Sequence, residues 1–190
     1  MMEINEIIKW LKDGNQRFVS DTTVKKIRNS THRELLAEGQ SPLAVVLGCA
    51  DSRVVPEIVF DTDLGELFTV RVAGNVASIS AIASIEFAVA QLNVKVVLVK
   101  GHSGCGAVTA AVDGGDHGHN LNKLITHILP AIEQNPGRSV DEVVKSNARI
   151  NAEELIKRST IIAEAVKKNQ LKIYPAFYHL ESGEVEFLTK

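Results

Sequence analysis

Cysteine is almost absent from this sequence: Cys49 and Cys105 are the only two among 190 residues. So few cysteines exclude the disulfide framework of many small secreted domains. Residues 1–6 are acidic and lack the apolar segment of a signal peptide, so nothing indicates export and a cytoplasmic location is expected. In a reducing compartment, two unpaired thiols are better explained as metal ligands than as a disulfide.

Charge of one sign and long hydrophobic runs are also missing. The net charge of −2 gives no electrostatic attraction toward nucleic acids or anionic membranes, so neither is expected as a partner. No apolar run approaches the roughly 20 residues that cross a bilayer. The composition, 45% hydrophobic and 23% charged, is that of an ordinary globular protein.

Short apolar runs alternate with segments of helical periodicity. The runs at 43–47, 67–72 and 94–99 are typical of buried parallel strands, and residues 173–180 and 185–188 indicate a terminal hairpin. Alternating strands and helices predict an α/β fold with a mainly parallel central sheet flanked by helices. We expect about four parallel strands plus an antiparallel edge strand.

No linker, repeat or low-complexity segment divides the chain, so a single domain is expected over residues 1–190. Residues 1–40 are predicted to form an N-terminal helical arm. Residues 41–190 are predicted to form the α/β core that binds the metal.

Three features of the helices are specific predictions. The helix that starts near Ile4 is expected to weaken or end at Asp13-Gly14. Residues 121–133 are expected to be helical, with an irregularity at Pro130. Residues 139–142 have the sequence of a capping box and should open a long helix.

Two motifs contain the residues that could bind a metal or take part in catalysis. Cys49-x-Asp51-x-Arg53 follows the first predicted strand, and His102-x-x-Cys105 follows the third. Because the carboxyl ends of parallel strands meet at one edge of a sheet, both motifs should lie together there. Two thiolates and one imidazole match a catalytic zinc site, which keeps its fourth position open.

Asp51 is the ambiguous member of this set. It could close the site as a fourth ligand, or it could stand aside while water binds. Arg53 is suited to control that choice, because a guanidinium can hold a carboxylate by paired hydrogen bonds and keep it off the metal.

The two motifs, in this order and strand context, resemble those of the β-class carbonic anhydrases. The likeness extends over roughly residues 30–188. Further segments that resemble the family are Gly39-Gln40-Ser41-Pro42, Gly65-Glu66-Leu67-Phe68, Arg71, Ala73-Gly74-Asn75, Ser84-Ile85-Glu86-Phe87-Ala88 and residues 147–188.

The resemblance implies an enzyme that hydrates CO2 reversibly to bicarbonate and a proton, with one Zn²⁺ per subunit. It implies Cys49, His102 and Cys105 as zinc ligands, with Asp51 as a conditional fourth. Asp51 and Arg53 would together gate the site and accept the proton.

The resemblance also implies a substrate pocket at a subunit interface, and hence a homodimer or homotetramer. Gln40 would donate a hydrogen bond to the substrate across that interface. Phe68 and Phe87 would form the apolar walls for CO2, with Ala73 and Gly106 beside the substrate.

Three positions depart from the family pattern. Many plant-type members have tyrosine at the position of Phe87 and valine at that of Ala73, so the pocket here should be less polar and roomier. Val46 replaces the tryptophan of the family's allosteric bicarbonate site, which argues against that effector site in this chain.

Two other functions remain open at this point. Related hydrolases with the same ligands act on carbon disulfide or carbonyl sulfide. A non-catalytic assembly module could also hold zinc permanently with both cysteines, His102 and Asp51, but such a module would have no use for Arg53.

Overall fold

A computed structural model describes residues 2–188, and a five-stranded sheet forms the centre of this part of the chain. The strands are β1 (Ala44–Gly48), β2 (Leu67–Arg71), β3 (Val96–His102), β4 (Lys172–Tyr178) and β5 (Val185–Phe187). The helices are α1 (Ile4–Val19), α2 (Ser30–Ala37), α3 (Pro56–Val59), α4 (Ile79–Gln91), α5 (Gly106–Asp113), α6 (His119–Ile125), α7 (Leu129–Glu133), α8 (Val140–Arg158) and α9 (Thr160–Lys167). A 3₁₀ turn, Ala73–Asn75, follows β2.

The strand order is β2-β1-β3-β4-β5. The first four strands pair in parallel, and β5 pairs antiparallel with β4. The predicted fold class is therefore confirmed, including the antiparallel edge strand. Because β1 and β3 are parallel neighbours, Gly48 lies beside Lys100, and the residues that follow both strands emerge at the same edge.

Apolar side chains cover both faces of the sheet. Val46 and Leu98 belong to one buried cluster, and their neighbours Val45 and Val97 belong to the other. This alternation follows from the two-residue period of a strand, and it explains why β1 and β3 are buried along their whole length. None of the described helices is long and apolar enough to cross a membrane.

Helix α8 begins as predicted. Ser139 Oγ accepts a hydrogen bond from the backbone of Glu142, whose carboxylate in turn accepts one from the Ser139 backbone. These reciprocal bonds satisfy two backbone donors at the start of the helix. The capping box is thus confirmed.

The predicted weakening of the first helix at Asp13-Gly14 is wrong, because α1 continues to Val19. Gly14 is buried where the helix passes close to the backbone of Phe60. Asn15 then donates hydrogen bonds to the carbonyl oxygens of Val59 and Gly183, at 3.1 and 2.8 Å. The glycine therefore permits a close approach inside a helix and does not end it.

The irregularity predicted at Pro130 is confirmed: α6 ends at Ile125, and a new helix, α7, begins at Leu129. Proline lacks the N–H that a continuous helix needs but fits the first turn of a new one. Strand β3 is longer than predicted and includes His102 itself, which pairs with Tyr178.

Replacing Gly14 by alanine tests its contact with Phe60. A Cβ at Gly14 would overlap the Phe60 carbonyl group, so Gly14→Ala should lower the free energy of unfolding by about 1–3 kcal/mol despite alanine's helix propensity. Gly39→Ala is the matched control, since a Cβ at Gly39 meets nothing within 4 Å. Urea unfolding compares the two variants, and a wild-type midpoint for Gly14→Ala would contradict the described packing.

Candidate metal centre

Three buried side chains converge at the carboxyl edge of the sheet. Cys49 directly follows β1, His102 ends β3, and Cys105 precedes the first turn of α5. Their potential ligand atoms all lie within 4.8 Å of one another, and the two Sγ atoms are 3.9 Å apart. The structure thus brings together the three residues that the motifs predict as ligands.

The imidazole of His102 is oriented for a ligand. Its Nδ1 lies 3.0 Å from the carbonyl oxygen of Ser103. A carbonyl only accepts, so Nδ1 carries the proton and Nε2 has a free lone pair. Nε2 is buried with no hydrogen-bond partner within residues 2–188. A buried, unpaired nitrogen facing two sulfur atoms fits a metal ligand.

The contact between the two thiols favours ionisation of Cys49 over that of Cys105. A hydrogen bond from Cys105 lowers the pKa of Cys49, whereas the same contact and burial raise the pKa of Cys105. The backbone N–H of Gly74 also donates to Cys49 Sγ, at 3.3 Å. A divalent cation would stabilise both thiolates, and two sulfur donors with one nitrogen donor suit Zn²⁺.

Asp51 lies beside the cluster formed by Cys49, His102 and Cys105, but its carboxylate is paired with Arg53. Arg53 Nε is 3.0 Å from Oδ1 and Nη2 is 2.8 Å from Oδ2, and the Arg53 backbone N–H also donates to Oδ1 at 3.0 Å. These hydrogen bonds hold the pKa of Asp51 well below its usual range. Oδ2 is 4.0 Å from His102 Nε2, so one carboxylate oxygen faces the cluster.

The supporting contacts of two residues were not predicted from the sequence. Arg71, at the end of β2, donates to the carbonyl oxygens of Cys49 and Asp51 at 3.0 and 2.5 Å. Asp141 accepts a hydrogen bond from the backbone of Gly104 at 3.0 Å. Both side chains fix the loops that carry the ligands. The arginine at a strand end was a visible signal, but its partners are backbone atoms that the sequence does not indicate.

Lys100 is a further residue that sequence reasoning missed. It lies fully buried in β3, where burial lowers its pKa to about 7. Its Nζ lies 3.4 Å from the carbonyl oxygen of Val54 and 4.8 Å from the centre of the Tyr178 ring. A lone lysine inside an apolar strand was the available signal.

The predicted substrate residues fall into two groups. Ala73 and Gly106 lie at the cluster, since they adjoin Gly74 and Cys105 in sequence. Phe68 and Phe87 contact each other, with ring centres 6.3 Å apart. Phe87 is 48% exposed, on α4.

Phe68 and Gln40 are remote from the cluster of their own chain. Phe68 pairs with Val45, four positions before Cys49 along β1. Gln40 lines a surface groove with Met2 and Lys95, at the opposite, amino-terminal edge of the sheet. Gln40, Phe68 and Phe87 therefore do not complete a pocket around the three ligands of their own chain.

Comparisons with known proteins agree with this site. A family model described as carbonic anhydrase matches residues 44–185. The chain is 38% identical to carbonic anhydrase 2 of Mycobacterium tuberculosis, over 96% of this chain and 93% of the relative. It is 37% identical to a carbonic anhydrase of Mycolicibacterium smegmatis, over 98% of this chain and 95% of the relative.

Solved structures give the same result. The β-carbonic anhydrase of Coccomyxa, in complex with acetazolamide, superposes with a TM-score of 0.77 at 25% identity, covering 100% of this chain and 88% of the other. The β-carbonic anhydrase CafA of Aspergillus fumigatus superposes with a TM-score of 0.71 at 33% identity, covering 83% and 82%. By its sequence, its fold and the residues at the sheet edge, the chain belongs to the β-class carbonic anhydrase family.

Proposed function

We propose that this protein is a zinc enzyme that catalyses the reversible hydration of CO2 to bicarbonate and a proton. The observation that carries the proposal is the open cluster: three buried donors converge, and the adjacent carboxylate is held by an arginine. Cys49, His102 and Cys105 would hold the ion. When bound, zinc would supply Lewis acidity that makes a hydroxide nucleophile available near neutral pH.

The chain's own residues would orient the ligands. The Ser103 carbonyl fixes the His102 tautomer, and the Gly74 N–H stabilises the Cys49 thiolate. Arg71 ties the backbone of Cys49 to that of Asp51. The ligands are therefore preorganised by hydrogen bonds that do not require the metal.

Asp51 would accept a hydrogen bond from the attacking water and so orient it, while its low pKa makes it too weak a base to keep the proton. Arg53 would keep this carboxylate ionised and away from the fourth metal position, because its two hydrogen bonds engage both oxygens. The low pKa of Asp51 means that its own titration does not fall in the neutral range. The pairing argues against an assembly module in which Asp51 permanently closes the site.

A second copy of the chain would complete the substrate pocket. The edge strand β2 is only half-buried, unlike β1 and β3. Exposed apolar side chains lie on the elements around it: Val24, Ile27, Leu35, Ile58, Leu64, Ile79 and Phe87. We refer to these seven residues as the β2-side patch. Such a patch is typical of an interface.

Through this patch, Gln40, Phe68 and Phe87 of one subunit would reach the cluster of another, where Ala73 and Gly106 form the rest of the pocket. The assembly would be a homodimer or homotetramer. A cytoplasmic location belongs to the same proposal, since Cys49 and Cys105 are free thiols in the structure.

Removing a ligand should remove the metal. Cys49→Ser and Cys105→Ser are each expected to lower zinc affinity by at least about 100-fold, the upper range for loss of a supporting residue. His119→Ala is the control, because this exposed histidine lies outside the cluster. Competition with a chelator, with zinc measured by mass spectrometry, gives the affinities. Full zinc retention in both serine variants would contradict the assignment.

Asp51 and Arg53 together form the dyad of the proposed site. Removing either residue should abolish most activity but not metal binding. Arg53→Ala and Asp51→Ala are each expected to lower kcat for CO2 hydration by about 100-fold or more, with zinc retained. Arg138→Ala is the matched control, since Arg138 pairs with Glu142 on the surface.

Stopped-flow assays with CO2, carbonyl sulfide and carbon disulfide should be run on the same proteins. Wild-type CO2 hydration in both dyad variants would contradict the mechanism. Turnover of the sulfur compounds without CO2 hydration by the wild-type protein would instead support the hydrolase alternative.

A charge in the β2-side patch should prevent assembly. Ile79 is 79% exposed, so Ile79→Asp should fold normally yet shift the protein toward monomers and lower its activity, with zinc retained. Ile161→Asp, on α9 with 42% exposure, is the control. Light scattering at several concentrations measures the mass. An active, fully assembled Ile79→Asp variant would place the interface elsewhere.

A further inference from the structure

Lys100 is buried without a carboxylate partner. Within residues 2–188, its ammonium group contacts only the Val54 carbonyl oxygen, at 3.4 Å, and the face of the Tyr178 ring, at 4.8 Å. Burying a lysine in a sheet is costly unless its polar atoms are satisfied. The four residues before it in β3 are valine or leucine, so the strand does not need a polar residue for packing.

The buried carbonyl oxygen of Val54 needs a hydrogen-bond donor, which explains a lysine at position 100. Val54 is fully buried and directly follows Arg53. Its N–H donates to the Asp51 carbonyl oxygen at 3.3 Å, which closes a turn over residues 51–54. Lys100 is the donor to the Val54 carbonyl, and a buried carbonyl without a partner would favour opening of the turn.

The turn is therefore held at both ends by hydrogen bonds from basic side chains. Arg71 donates to the carbonyl oxygen of Asp51 at its start, and Lys100 donates to that of Val54 at its end. Between them lie Asp51 and Arg53, whose side chains pair beside the cluster. Their pairing geometry depends on the backbone of this turn, since the Arg53 N–H also binds the Asp51 carboxylate.

We propose that Lys100 is a positioning residue for the dyad: from the sheet beneath, it fixes the turn that keeps Asp51 paired with Arg53. The effect of Lys100 on catalysis rests on the proposed function. The hydrogen bond itself does not, because an amine donates to a carbonyl whether or not it carries the extra proton.

Lys145 provides a matched control within the same chain. It also lies over an aromatic ring, that of Phe177 at 4.9 Å. However, it is partly exposed and forms an ion pair with Glu186 at 2.6 Å. Lys145→Met therefore removes a lysine–aromatic contact without touching the 51–54 turn.

Hydrogen exchange of the metal-free protein tests the contact directly. In Lys100→Met, the amides of Arg53 and Val54 should exchange about tenfold faster than in the wild type, while those of β1 and β3 stay protected. Lys145→Met should leave the turn unchanged. Unaltered exchange at Arg53 and Val54, or equal acceleration across the whole sheet, would overturn the proposal. If Lys100→Met does not fold, Lys100→Leu, which also lacks a donor, is measured with the same criteria.

Two measurements on the metal-loaded protein test whether Lys100 affects catalysis and the metal environment. In Lys100→Met, kcat for CO2 hydration should fall about tenfold at unchanged KM, and Lys100→Arg should restore most of it. The d–d absorption of the Co²⁺-substituted protein should also change in Lys100→Met and return in Lys100→Arg. Wild-type kcat and spectrum in Lys100→Met would overturn the positioning role. If the wild type itself does not hydrate CO2, the proposed function fails, and the exchange result still decides the role of Lys100 in the turn.

Discussion

The parallel pairing of β1 with β3 is the constraint on which the site depends. It places the residue after Gly48 and the residue at the end of β3 at one edge of the sheet, although they are far apart in sequence. Cys49 and His102 therefore approach each other because the strands that carry them are paired. The start of α5 then adds Cys105, whose thiol is 3.9 Å from that of Cys49 and has a raised pKa because of that contact and its burial.

Around these donors, the chain places basic side chains that bind different atoms. Arg53 binds the carboxylate of Asp51, Arg71 binds two backbone carbonyls, and Lys100 lies below the turn between them. The thiolates and the carboxylate favour positive charge nearby. In the proposed site, this arrangement would let Asp51 stay beside the metal without binding it. This distinguishes a site with an open position from one that serves structure alone.

Much of this could be predicted from sequence because the signals are local. Apolar runs located the strands, and the two motifs located the three clustered residues Cys49, His102 and Cys105 and the neighbouring Asp51–Arg53 pair. The continuation of α1 through Gly14 could not be predicted, since the reason is the backbone of Phe60 in another part of the chain. The contacts of Arg71 and Lys100 were missed for the same reason: their partners are backbone atoms brought near only by folding. Gln40 and Phe68 lie away from the cluster of their own chain, so their predicted role depends on a second subunit.

The central claim is that Arg53 keeps Asp51 off the metal in the active form. Crystal structures of the zinc-loaded protein at alkaline and at mildly acidic pH test it most directly. At alkaline pH, the account predicts zinc bound by Cys49, His102 and Cys105, with both Asp51 oxygens on Arg53. Zinc ligated by Asp51 at alkaline pH, with Arg53 displaced, would contradict it.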